Sequence, residues 1–314
     1  MTEAVLNLVL AVLILGLAAW AILAREAFAA VIGFLAFGLL LTLVWVQLSG
    51  IDVALTEAAI GGGLTSILLM FAATRLRASE VPENPAVSSR TVRLIAAGVS
   101  ATVSLALIVC VFALPASPPS LAPEVAVNIA ATGVGNPITA VLLAFRAMDT
   151  LLEAIVLLFA LIGVWSLAPD DCWGGRPGPM QQSEPNGILA YAARILPPLG
   201  IIVGVYIFWI GADFPGGKFQ GATILAAMWL LVMMAGLVDA PAISSRWLRL
   251  GLVFGPLSFI AIGFVGTLST GHFFGYPEGL AKPFIVAIEL ALMPSLTLVL
   301  ALLLLGSPRR GVQS

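Results

Sequence analysis

Residues 52–66 read DVALTEAAIGGGLTS. They belong to an apolar run ending at Thr74, about 22 residues at helical rise and therefore long enough to cross a bilayer, yet Glu57 sits roughly two turns inside it. An ionised acid at mid-membrane costs about 2.5 to 3.5 kcal/mol even on lenient insertion scales, so a retained one is a functional candidate that faces protein or water rather than lipid. Gly61, Gly62 and Gly63 follow one turn later, where they admit a neighbouring backbone or let the helix distort. Two readings stand side by side: a proton or cation path along a softened helix, or an acid near the membrane surface that snorkels or pairs structurally.

Working outward, the whole chain has the same oily character. Its 314 residues are 61% hydrophobic and 10% charged, against roughly 25% charged in soluble domains. This is an all-α chain, a polytopic transmembrane helical bundle. Apolar runs long enough to span occur at about 4–24, 27–49, 51–74, 94–114, 149–168, 188–210, 219–238, 248–268 and 283–306, about nine spans in all. The first of them lacks a basic leader and a small-residue cleavage pattern, so it reads as a retained helix. No basic cluster points to nucleic acid. Cys110 lies in an apolar run and Cys172 in a polar loop, so neither a disulfide nor a metal site is expected.

Two polar, proline-rich interruptions divide the chain. The reading is a three-helix module at 1–77, a linker at 78–93, a module at 94–170 with two helices and a lateral one, a linker at 171–190 and a four-helix module at 191–314. Within the middle module, NPITAVLLAFRAMDT carries too few apolar residues to span before Asp149. A flat interfacial helix near 137–147 is therefore expected. With the amino terminus outside and nine crossings, Arg25, Arg75, Arg77, Arg90, Arg93, Arg176, Arg194, Arg246, Arg249, Arg309 and Arg310 fall inside, eleven of the fourteen basic residues. The positive-inside rule then favours N-out, C-in. The sequence has no convincing internal repeat, which argues against an autonomous secondary carrier.

Other polar groups recur in or near the spans. Arg146, Asp149 and Glu153 share one helix face, either as a clamp in which Arg146 neutralises the acids or with Glu153 as part of a polar route. Glu289 lies in the last span with Pro294 downstream, and reads either as a structural acid beside a kink or as a weaker member of the same route. GADFPGGKFQG at 211–221 has the turn chemistry of Pro215, Gly216 and Gly217, and Asp213 with Lys218 reads most simply as a solvated ion pair. His272 has aromatic neighbours suited to a membrane interface. Glycines at helical spacing, such as Gly200 with Gly204, imply close helix packing and partner helices. A nucleophile with its base, a cofactor loop and a metal cluster are all missing, so the chain reads as a transport component rather than an enzyme, with no cofactor.

Three segments in order resemble the Mrp-type multisubunit cation/proton antiporters and the related membrane-bound hydrogenases. IDVALTEAAIGGGLTS is similar to the signature P-D-V-A-L-T-E-A-A-V-G-x-G of the hydrogenase D subunit, shared with the C-terminal part of the antiporter A subunit. NPITAVLLAFRAMDTLLEAIVLLFALIGVWSL resembles the following E-type piece, and residues 191–306 resemble the B subunit, whose typical turn is G-H-x-x-P-G-G-G-F-x-G-G. By this resemblance Asp52, Thr56 and Glu57 match the first signature, Arg146, Asp149, Thr150 and Glu153 the second, and Gly211, Pro215, Gly216, Gly217, Phe219 and Gly221 the third. Ala212 replaces the usual histidine, Lys218 a glycine, and Leu152 the glycine before the acid. The resemblance implies a membrane subunit, in the cell inner membrane, that joins other membrane subunits and contributes acids to a sodium or proton route, with Glu57 and Glu153 the foremost candidates. A structural adaptor that docks larger subunits without conducting ions is the alternative. The long antiporter-like region that precedes these modules in the family is not in this sequence, which implies that the chain does not pump alone.

Overall fold

The computed structural model describes residues 2–78, 90–115, 120–178 and 187–310. A helix stands at each of the nine expected places. They are α1 (Thr2–Leu23), α2 (Ala27–Gln47), the third helix, built from α3 (Ile51–Thr56), a π-helical stretch (Glu57–Thr65) and α4 (Ser66–Ala78), then α5 (Arg90–Ala113), α8 (Ala147–Trp165), α9 (Ile188–Ile210), α10 (Lys218–Met234), α11 (Arg246–Thr270) and α12 (Ala281–Leu305). Eight are long and apolar enough to cross a membrane, while α10, at 17 residues, is shorter.

The segment expected to lie flat near 137–147 forms the second half of a bent pair. α6 (Ala122–Thr132) and the Pro137–Phe145 helix, made of α7 (Pro137–Ala140) and a π-helical turn (Val141–Phe145), meet at 86°. Asn136 caps the second piece by accepting from the Ile138 N–H, with Pro137 in the first helical position where no N–H is needed. One face of this piece, Thr139, Ala140 and Leu143, is buried in the core beside α12. Two short pieces, neither long enough to span, carry too weak a periodic signal for sequence reading to place the bend.

The π-helical stretch begins at Glu57 and holds all three consecutive glycines. Gly38 of α2 and Gly62 show why: a Cβ on Gly38 would lie 3.2 Å from the Gly62 nitrogen, so the two backbones touch with no side chain between them. The core gathers on α12, whose Ile285, Ile288, Leu292 and Leu302 are fully enclosed. α11 meets it at Gly255, where an added Cβ would overlap Ser295, and the Ser295 hydroxyl donates to the Leu252 carbonyl at 2.6 Å. α5 is the opposite case, with none of its residues buried.

The first part of the 171–190 stretch is held in place. β1 (Arg176–Pro177) pairs antiparallel with β2 (Pro308–Arg310), and Arg176 donates to the Ala240 carbonyl at 2.8 Å. This ties the stretch that follows α8 to the end of α12. Residues 179–186, and 79–89 of the other expected linker, lie outside the described residues.

Candidate functional site

The site forms where α3, α10 and α12 begin. Pro215, Gly216 and Gly217 reverse the chain so sharply that a Cβ on Gly211 would strike Gly217, and Gly216 and Gly217 hold φ of 151° and 135°. The Gly217 N–H donates back to the Ile207 carbonyl at 3.0 Å. This turn makes Lys218 the first residue of α10 and points it into the bundle.

Lys218 is therefore not the solvated partner of Asp213. Its side chain and that of Glu289 are each only 4% exposed, its Nζ lies 3.9 Å from Glu289 Oε1 and 5.5 Å from the Phe219 ring centre, and Glu153 is near enough for its charge to act on it. The Glu289 carboxylate also faces the Lys218 backbone N–H, where an anion belongs at a helix start. Asp213 pairs instead with Lys282 of α12, 2.7 Å away. Adjacent turn residues invite a local pairing; the tertiary fold supplies a distant acid to one and a distant lysine to the other.

Glu153, Lys218 and Glu289 line one cavity of about 260 Å³, with Asp52, Thr56, Thr139 and Gln220 as its other polar walls. That is room for several waters at ~30 Å³ each. Asp52 Oδ1 accepts from the Gly216 N–H at 3.0 Å and from Asn136 Nδ2 at 3.2 Å. Gln220 Nε2 donates to Thr56 Oγ1 at 2.9 Å, and Thr139 Oγ1 donates to the Gly211 carbonyl at 2.6 Å. Asp52 also lines a second, outer pocket with Asn136 and Asp213. Polar groups thus run from that outer pocket, past Asp52, to the lysine and its two acids.

The other sequence candidates lie elsewhere. The Glu57 side chain folds over Gly61 toward Gly38 of α2, and it is not one of the cavity's walls. Arg146 and Asp149 pair at 2.6 Å, with side chains 70% and 51% exposed. The clamp and the cavity acid are thus separate features, since Glu153, one turn on and itself exposed, lines the cavity without Arg146 or Asp149. Pro294 is inside α12, and Gly221 lies against the Gly204 carbonyl where α10 crosses α9. His272 is exposed, its ring near the Thr270 carbonyl. Asn136, Gln220 and Tyr276 were missed. Asn136 alone had a local signal, an asparagine directly before a proline at a helix start.

A tether closes the loop end. The Gly135 N–H donates to Asp213 Oδ1 at 3.0 Å, and the Gly135 and Asn136 N–H groups donate to the Ala212 carbonyl. The Lys282 ammonium, hydrogen-bonded to Asp213, holds its carboxyl below the usual carboxylate range, and Gly135 adds to this. A depressed carboxyl contributes stability that is complete above its unfolded pKa near 3.9 and is lost as pH falls through the folded value. Amide exchange at Gly135 should therefore show protection that is constant from pH 5 to 8, and Asp213→Asn should lower it throughout; a protection that titrates between pH 6 and 8 would contradict the tether. Nearby, the Tyr276 hydroxyl donates to the Leu143 carbonyl at 2.6 Å, and burial pushes the phenol pKa up.

These features define a class: a multi-pass helical membrane protein with a buried lysine–glutamate pair and a second, exposed acid lining one cavity of the bundle. Residues 12–78 match MbhD, the family of the D subunit of MBH, and residues 188–307 match a domain related to the MnhB subunit of Na+/H+ antiporter. The chain thus carries an MbhD domain followed by a domain related to MnhB. It is 28% identical over 169 residues to the A/B subunit of a probable K(+)/H(+) antiporter of Rhizobium meliloti (strain 1021), a match covering 46% of this chain and 16% of that protein. In fold it is similar to a chain of the Mrp complex from Dietzia sp. DQ12-45-1b, with a TM-score of 0.73 and 25% identity over 98% of this chain and 35% of that one. A chain of the membrane-bound sulfane sulfur reductase, an archaeal respiratory membrane complex, shares the fold over 68% of this chain and 97% of its own, with a TM-score of 0.52 and 22% identity.

Proposed function

We propose that this chain is a membrane subunit of an Mrp-type or hydrogenase-linked cation/proton antiporter complex in the cell inner membrane, and that the Glu153–Lys218–Glu289 cavity is part of its ion route. The observation that carries this reading is the pair of acids around one buried lysine, with room for water beside them. One ammonium neutralises one carboxylate. The other, Glu153, is left without that partner and is the acid available to take up a proton or meet another cation, which is the condition for exchange. Asp52, Thr56 and Gln220 extend the polar path toward the outer pocket. Glu57, on the α2 side, is a separate carboxylate that adds to the route without belonging to this cavity. The relatives' names supply the assembly, in which larger membrane subunits pack on exposed faces such as that of α5.

The experiment is ion flux through the assembled complex carrying Glu153→Gln or Glu289→Gln. Loss of flux with assembly intact supports the reading. Normal flux in both would leave the chain a structural adaptor.

A further inference from the structure

The geometry points to Lys218 as the residue that bars metal cations from the cavity and so restricts it to protons. The inference rests on the reading of the cavity as part of an ion route.

Two observations carry it. First, Lys218 already serves as the cation of the site. Its ammonium is tethered to α10, 96% shielded from solvent together with its partner, and set against Glu289 with Glu153 also within electrostatic reach. A sodium or potassium ion drawn to Glu289 would have to share that carboxylate with the ammonium. A second positive charge ~4 Å from an ammonium, at the effective dielectric of a protein site, loses on the order of a thousandfold in affinity. Second, several of the remaining side-chain oxygens are already hydrogen-bonded within the protein. Asp52 Oδ1 takes bonds from Asn136 and Gly216, Thr139 Oγ1 donates to the Gly211 carbonyl, and Thr56 Oγ1 receives Gln220 Nε2. A proton needs none of them. It adds to a carboxylate, cancels its charge and leaves the lysine in place.

The lysine is thus a specificity-determining residue, and its charge is the property that matters. The test is equilibrium binding of radioactive sodium and rubidium to the purified, assembled complex, with the site's share defined as the bound ion that Glu289→Gln removes. In the wild-type complex and in Lys218→Arg that share should be nil. In Lys218→Gln it should appear, with affinity raised about a hundredfold or more, and vanish again when Glu289→Gln is added. An ion bound to the wild-type complex and lost in Glu289→Gln overturns the proposal, as does an assembled Lys218→Gln that gains none. If Lys218→Gln does not assemble, Lys218→Met carries the same expected gain, and an ion bound to the wild-type or Lys218→Arg complex and lost in Glu289→Gln still overturns the proposal. Failure of the underlying route shows separately, as unchanged proton flux in Glu153→Gln and Glu289→Gln.

Discussion

Lys218→Met is expected to cost about 3 to 5 kcal/mol of stability, and Lys218→Met combined with Glu289→Met to recover most of that loss. Each side chain of the pair is 4% exposed, so neither charge has water to fall back on. At 3.9 Å the contact is looser than a good ion pair, and the net gain from having both charges is small. Removing one is another matter, because Glu289 then stays ionised in an oily interior unless a proton or a metal cation takes the ammonium's place. Thermal unfolding of the four members of this cycle in detergent measures the coupling. A single Lys218→Met variant as stable as the wild type would mean that Glu289 is not charged in the folded protein.

Glu153→Gln and Glu289→Gln are each expected to lower ion flux through the assembled complex about a hundredfold, the lower end of what a positioned proton-transfer group contributes. Glutamine keeps the size and much of the hydrogen bonding of glutamate but cannot pass a proton. Stability should change little in Glu153→Gln, since Lys218 keeps Glu289 as its neighbour. Glu57→Gln should have a smaller effect on flux, because its side chain folds over Gly61 toward α2 and outside the cavity walls. Flux measured in vesicles, with co-purification as the control for assembly, separates the three. Equal loss in all three variants would make the two acid regions one path. Loss in Glu57→Gln alone would move the route to α2.

The helical architecture was legible because a span is a local property. Length and hydropathy at 188–210 predict a helix that the structure has as Ile188–Ile210. The bend at 133–136 was not legible, since it joins two pieces too short to register as spans and its shape is fixed by bonds from Asn136 to the distant α9–α10 turn. Glu153 and Glu289 stood out individually as acids in apolar runs. Their meeting at Lys218 did not, because the lysine follows a proline–glycine turn, where a charged residue is ordinarily solvated. Only the fold shows that the turn folds inward. For Glu57 the sequence had the residue and its soft glycine neighbours, but not the face of the helix, which the π-helical stretch sets.

The central claim is that a carboxyl in this cavity gains and loses a proton while the complex works. Infrared difference spectroscopy of the assembled complex across a pH jump, in H₂O and D₂O, reads that event directly. A protonated-carboxyl band that shifts in D₂O and disappears in Glu153→Gln or Glu289→Gln is the predicted result; difference spectra that keep every such band in both variants would contradict it.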